Sequence, residues 1–154
     1  MDLSLILKEV NFVERYKVIC KNHNDFENSM SGAKNTLYNE VLNRLGYDYK
    51  YYSNGSFYQI ISKINDIKLQ LHLVLKNGII EPLLYVKVGG ETINPKGRLD
   101  FIPQKMGIEF NRALYNIPKY TSEAELEEIL KELFSIYEDI KKEMIKEFRK
   151  NEDS

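Results

Sequence analysis

The sequence predicts an α+β domain: two N-terminal helices, an antiparallel β-meander of four to five strands, and a long C-terminal amphipathic helix packed on the sheet. Two observations carry this. Between Tyr47 and Val88, the dipeptides Asn54-Gly55, Asn65-Asp66 and Asn77-Gly78 separate segments of alternating polarity. Each dipeptide tolerates positive φ and closes a tight two-residue turn. The other observation is a capped segment, Ser122 to Phe148, whose apolar residues recur every three or four positions. At 154 residues, with no repeat or linker, the chain reads as one domain, 1–154.

Taken in order, Leu3, Ile6, Val10, Val13 and Tyr16 predict a first helix over 3–22, ending near the polar run Asn22-His23-Asn24-Asp25. A second helix is predicted over about 33–45, with Leu37, Val41, Leu42 and Leu45 on one stripe. Gly46 follows it, as the left-handed residue that ends a helix.

The strands come next. If the turns are two-residue loops, residue 53 pairs with 56, 64 with 67 and 76 with 79. One face then carries Tyr49, Tyr51, Tyr58, Ile60, Ile64, Ile67, Leu69, Leu71, Leu73, Leu75, Ile80, Leu84, Val86 and Val88. A slip of one residue would turn that set toward solvent, so the agreement across the turns specifies the register.

Beyond the fourth strand, Gly89-Gly90 predicts a bulge or bend, and Asn94-Pro95-Lys96-Gly97 a type I turn pairing Glu91–Ile93 with Arg98–Phe101. Within 102–120, a short helix near 107–115 is the expectation. The final helix opens with the capping box Ser122-Glu123-Ala124-Glu125. Its stripe is Leu126, Leu130, Leu133, Tyr137, Ile140, Met144 and Phe148, which the inward face of the sheet would cover. Ile129, Phe134, Ile136 and Ile145 broaden that arc, toward the first helix or toward a second copy of the chain. Acids in the first turns and bases in the last suit the helix dipole.

Composition narrows the function. A net charge of −1 argues against a dedicated nucleic-acid binder. Cys20 is the only cysteine, so neither an internal disulfide nor a zinc site built from cysteines is available. It sits in Val18-Ile19-Cys20 and reads as a small buried hydrophobe. No stretch approaches the roughly 18 apolar residues of a membrane span. The N-terminus lacks a basic region and is interrupted by Lys8 and Glu9, which predicts no signal peptide and a cytoplasmic location.

No motif for catalysis stands out. Gly89-Gly90 lacks the spacing of a phosphate loop, and His23 and His72 belong to no metal-ligand pattern, so no metal, cofactor or catalytic residue is assigned. A hydrolase would have to bring together carboxylates such as Glu81, Glu91, Asp100 and Glu109. The outer sheet face is more informative. There Tyr52 opposes Phe57, Gln59 and Leu83 flank His72, Tyr85 opposes Gln70, and Lys50, Lys63, Lys68, Lys87 and Glu81 surround them. Either the first or second helix covers part of this face, or it is an exposed patch for a protein partner. The candidate partner-binding residues are Tyr52, Phe57, His72, Glu81, Leu83 and Tyr85.

In its small size, Tyr/Asn/Lys/Ile-rich composition, central antiparallel sheet and terminal helix YTSEAELEEILKELFSIYEDIKKEMIKEF, the chain resembles bacterial immunity proteins of polymorphic toxin and contact-dependent inhibition systems. The likeness is architectural and carries no residue-level motif. It implies a non-enzymatic monomer or homodimer that binds a cognate protein toxin domain, often a nuclease, and occludes its active site or substrate groove, with rim acids steering a basic partner. It implies no contact with nucleic acid or membrane. Two rivals stay open. One is a chaperone or adaptor for a secreted effector, expected to be dimeric. The other is a small-ligand binding domain or enzyme, expected to hold a polar cavity among Tyr49, Tyr51 and Tyr58.

Overall fold

A computed structural model describes residues 2–152. The order is α1 (Ser4–Glu9), α2 (Phe12–Asn22), α3 (Asn35–Arg44), β1 (Lys50–Tyr52), β2 (Phe57–Ile64), β3 (Ile67–Lys76), β4 (Ile79–Val88), β5 (Glu91–Arg98), α4 (Ile102–Lys105) and α5 (Glu123–Glu152). The strands form a five-stranded antiparallel meander, β1-β2-β3-β4-β5. The predicted register is the observed one: Tyr52 pairs with Phe57, Ile64 with Ile67, and Lys76 with Ile79. Gly78 (φ +73) shows why its turn needs glycine, since a Cβ there would collide with the Ser29 side chain.

Two expectations about β5 are corrected. Gly89-Gly90 is a tight turn, with both residues at positive φ and Val88 paired with Glu91. Consecutive glycines supply the paired left-handed conformations of a primed turn, so the hairpin closes before the Asn-Pro-Lys-Gly signal is reached. Residues 94–97 therefore lie within one continuous strand. Val86 pairs with Ile93 and Leu84 with Gly97, so Asn94-Pro95-Lys96 bulges opposite Tyr85. An edge strand tolerates a proline at such a bulge, where its missing N–H breaks no ladder bond.

The predicted first helix is two. Asn11 adopts φ 56, a left-handed conformation that Asn accepts, and separates α1 from α2. At about 100° per residue, Leu3, Ile6, Leu7 and Val10 would lie nearly opposite Phe12, Tyr16, Ile19 and Cys20 on one continuous helix. The break lets both sets enter the core, where all are buried. Helix α3 ends as predicted: Gly46 N–H bonds Asn43 O and Tyr47 N–H bonds Leu42 O, the paired closure of a Schellman motif. No helix forms over 107–115. Asn111 Oδ1 accepts the Ala113 N–H at 3.0 Å, a local bond that competes with helix formation, and Arg112 is drawn to buried Asp100 at 3.1 Å.

The capping box of α5 is half formed. Ser122 Oγ accepts the Glu125 N–H at 3.1 Å, but the Glu125 carboxylate reaches past Ser122 to the N–H and hydroxyl of Thr121 and to His23. Leu126, Leu130, Leu133, Tyr137, Ile140 and Met144 are buried as expected. Helices α1 and α2 pack against α5, and Tyr47 stacks on Phe134 at 3.9 Å, which accounts for the breadth of its apolar arc within one chain. Arg15–Asp139 (2.8 Å) and Arg44–Glu127 (2.9 Å) tie α2 and α3 to α5.

The core unites the inward residues of β2–β4 with Leu7, Phe12, Tyr16, Tyr38, Ile102 and the α5 stripe. Phe57, Ile61, Val74, Leu83 and Tyr85 take no part in it. The helices therefore cover one side of the sheet and leave the other open. Among the described residues, no helix is long and apolar enough to cross a membrane.

Candidate functional site

The open side of the sheet brings the sequence-predicted residues together. Tyr52, Phe57, His72, Glu81, Leu83 and Tyr85 all lie on it, each half-buried by its neighbours. Tyr52 lies directly opposite Phe57, while Phe57–His72 and His72–Tyr85 are diagonal neighbours, a separation that aromatic side chains span. The rings stack. Tyr52 and Phe57 are 5.0 Å apart at 17°, Phe57 and His72 4.7 Å at 23°, and His72 and Tyr85 5.0 Å at 50°. The rings form a ladder across β1, β2, β3 and β4, and Lys50 Nζ closes its β1 end 4.9 Å from the Tyr52 centroid.

A polar network locks the ladder from one side. Gln59 Nε2 donates to Gln70 Oε1 at 3.1 Å and to His72 Nε2 at 3.3 Å, while the Tyr52 hydroxyl donates to Gln59 Oε1 at 3.3 Å. His72 Nε2 is thereby an acceptor. Burial among the rings lowers the imidazole pKa, which favours this neutral form. Gln70 is buried, and its Oε1 accepts the bond from Gln59.

Towards β5, Leu83 pairs with Arg98. Arg98 grips buried Asp100 at 2.7 and 2.9 Å, and Arg112 lies 3.4 Å over the half-exposed ring of Phe101. Asp100 thus commits its two carboxylate oxygens to the guanidinium groups of Arg98 and Arg112. The sequence reading missed Arg98, Phe101 and Arg112; their meeting depends on the course of residues 98–112, for which no periodic signal exists. It also treated Gln59 as a neighbour of His72 without foreseeing that one amide would bridge Gln70, His72 and Tyr52.

Strand parity places Lys50, Lys63, Lys68, Lys76, Lys87 and Arg98 on this side, with Glu81 as an acid among them. The rim is basic. Tyr52, Phe57 and His72 turn ring faces toward one another, which leaves fewer faces free for stacking by a nucleic-acid base.

The cavity expected among Tyr49, Tyr51 and Tyr58 is filled by the rings themselves. Tyr58 packs on Tyr51 at 4.8 Å, Tyr49 at 5.4 Å and Tyr38 at 6.3 Å, and its hydroxyl donates to Asn39 at 2.8 Å. Burial pushes the Tyr58 phenol up to about 12. Through Tyr58 the cluster meets Tyr38 and Asn39 of α3. Comparison with known proteins finds no family model, curated protein or solved structure that matches the chain.

Proposed function

We propose that this chain is a non-enzymatic inhibitor of the immunity type, which binds a protein toxin domain through the open sheet face and blocks that domain's active site or substrate groove. The observation behind the reading is the locked ring ladder on a side of the sheet that no helix covers. Aromatic anchors held before binding lose little conformational freedom on docking, and anchors of this kind carry most of the energy of protein interfaces. The protein acts in the cytoplasm in this reading, where one buried thiol needs no disulfide partner.

Charge refines the choice of partner. The immunity resemblance implies rim acids steering a basic nuclease, whereas this face presents lysines. Complementarity therefore favours an acidic contact surface on the toxin domain, and docking that weakens as salt rises.

The test is capture of the partner on tagged protein from cells that carry it, repeated with Lys68→Glu/Lys87→Glu. Loss of a stoichiometric folded partner in the charge-reversed variant supports the reading. Equal capture by both proteins places the interface elsewhere. A dimer wrapped around an unfolded segment, seen by light scattering, replaces it with the secretion-chaperone reading.

A further inference from the structure

On the helical side of the molecule, His23 closes α2 and is only 5% exposed. Its Nδ1 lies 2.7 Å from Glu125 Oε2, and the other oxygen of that carboxylate is held by Thr121 through its N–H at 2.7 Å and its hydroxyl at 2.9 Å. A carboxylate anchored in this way accepts the Nδ1 proton and leaves Nε2 with its lone pair free. That Nε2 is buried and has no hydrogen-bond partner; it faces Glu132 Oε2 at 3.7 Å, a buried oxygen that also lacks a partner. In that tautomer two acceptors face each other across 3.7 Å.

A third acceptor lies beside them. Glu128 and Glu132 stand one turn apart on α5, and ligand atoms of His23, Glu128 and Glu132 all lie within 4.8 Å of one another. Bonds of about 2.0–2.2 Å to one ion need a somewhat tighter group. Glu128 is exposed and Glu132 half-exposed, so side-chain rotation supplies the difference. We propose that His23 Nε2, Glu128 and Glu132 bind a divalent first-row transition-metal ion, with Glu125 as the positioning residue that orients His23.

An imidazole with two carboxylates suits Zn²⁺ or Mn²⁺ better than Ca²⁺ or Mg²⁺, which prefer oxygen alone. The Glu125–His23 pair is the carboxylate–histidine arrangement that fixes the ring of a metal-bound histidine. Of the three ligands, Glu132 also borders a groove of about 290 Å³ lined by Arg15, Val18 and Ser135 among others. The ion would clip the end of α2 to α5 and stabilise the fold by mass action.

The experiment uses the full chain stripped with a chelator and titrated with Zn²⁺, read by calorimetry, thermal unfolding and elemental analysis. One Zn²⁺ per chain and a rise in Tm are expected. Glu128→Gln, at an exposed position that leaves the fold intact, should weaken binding at least about tenfold, and Glu125→Gln about 10–100-fold. Absence of stoichiometric Zn²⁺ with an unchanged Tm overturns the proposal, and the gap then belongs to a proton shared by His23 and Glu132. Binding that Glu128→Gln and Glu132→Gln leave unchanged also overturns it, since the ion then sits elsewhere.

Discussion

Phe57 and His72 stack nearly face to face on neighbouring strands, 4.7 Å between ring centroids. The pair is the middle of the outer ladder. It couples the ionisation of one residue to the order of the whole patch, because a protonated imidazole would sit between two aromatic rings and lose its bond from Gln59.

His72 should therefore make stability depend on pH. Burial lowers its pKa from 6.5 in the folded chain, so the unfolded chain binds the proton first. The stabilisation is fully present above 6.5, declines as pH falls below it, and levels off beneath the folded-state value. Near the ring lie Gln59, Phe57, Leu83 and Tyr85, with Glu81 the next outward residue along β4. Urea unfolding of wild type and His72→Phe at pH 7.5 and 5 should show the wild type losing more stability on acidification. Parallel losses in the two proteins would sink the assignment.

Tyr85 tests the outer face directly. Its ring ends the ladder and touches His72 alone among the rings, so Tyr85→Ala should cost about 1 kcal/mol of stability or less. As an interface anchor it should cost about 2 kcal/mol or more in partner binding, roughly a thirtyfold loss of affinity. Chemical denaturation and a titration against the captured partner separate the two. Comparable losses in both would mean the ring is structural.

Leu71 tests the other face. It is buried in the middle of β3 among Phe12, Leu84, Leu133 and Tyr137, around a void of only about 10 Å³. Leu71→Ala should enlarge that void and cost roughly 2–5 kcal/mol, measured by urea unfolding. A cost below about 1 kcal/mol would mean the helices do not close on the sheet here.

Gly78→Ala should also destabilise, through the backbone. It needs φ +73 and leaves no room for a Cβ, which would collide with the Ser29 side chain, while at the turn glycine Gly55 a Cβ would meet the Phe57 ring at 3.2 Å. A cost of about 1–3 kcal/mol is expected at Gly78. The corresponding Gly55→Ala should cost less, and the reverse order in thermal unfolding would refute the steric account.

Much of the sheet was legible because its rules are local. Side chains alternate with a period of two, and dipeptides such as Asn77-Gly78 pin the register wherever they fall, so Gln59 opposite His72 and Tyr85 opposite Gln70 follow from counting alone. The α3 and α5 termini were legible for the same reason: Gly46 and Ser122 act on backbone groups within a few residues. The break at Asn11 was written in the two opposed apolar arcs, but recognising it required knowing that both arcs face one core. The bulge at Asn94–Lys96 was hidden because Gly89-Gly90 competes with the later turn signal, and only strand pairing decides between them.

By itself the sequence determined the fold class, the register of β1–β4 and the membership of each sheet face. The tertiary structure alone decided that the helices gather on one side, leaving the ladder of Tyr52, Phe57, His72 and Tyr85 open, and that His23 meets Glu125, Glu128 and Glu132. Turn and strand preferences act over a few residues, and periodicity reports them. Which side of the sheet a helix covers, and which side chains converge across a hundred residues, is set by how the apolar arcs of separate elements fill one core, and no local pattern encodes that.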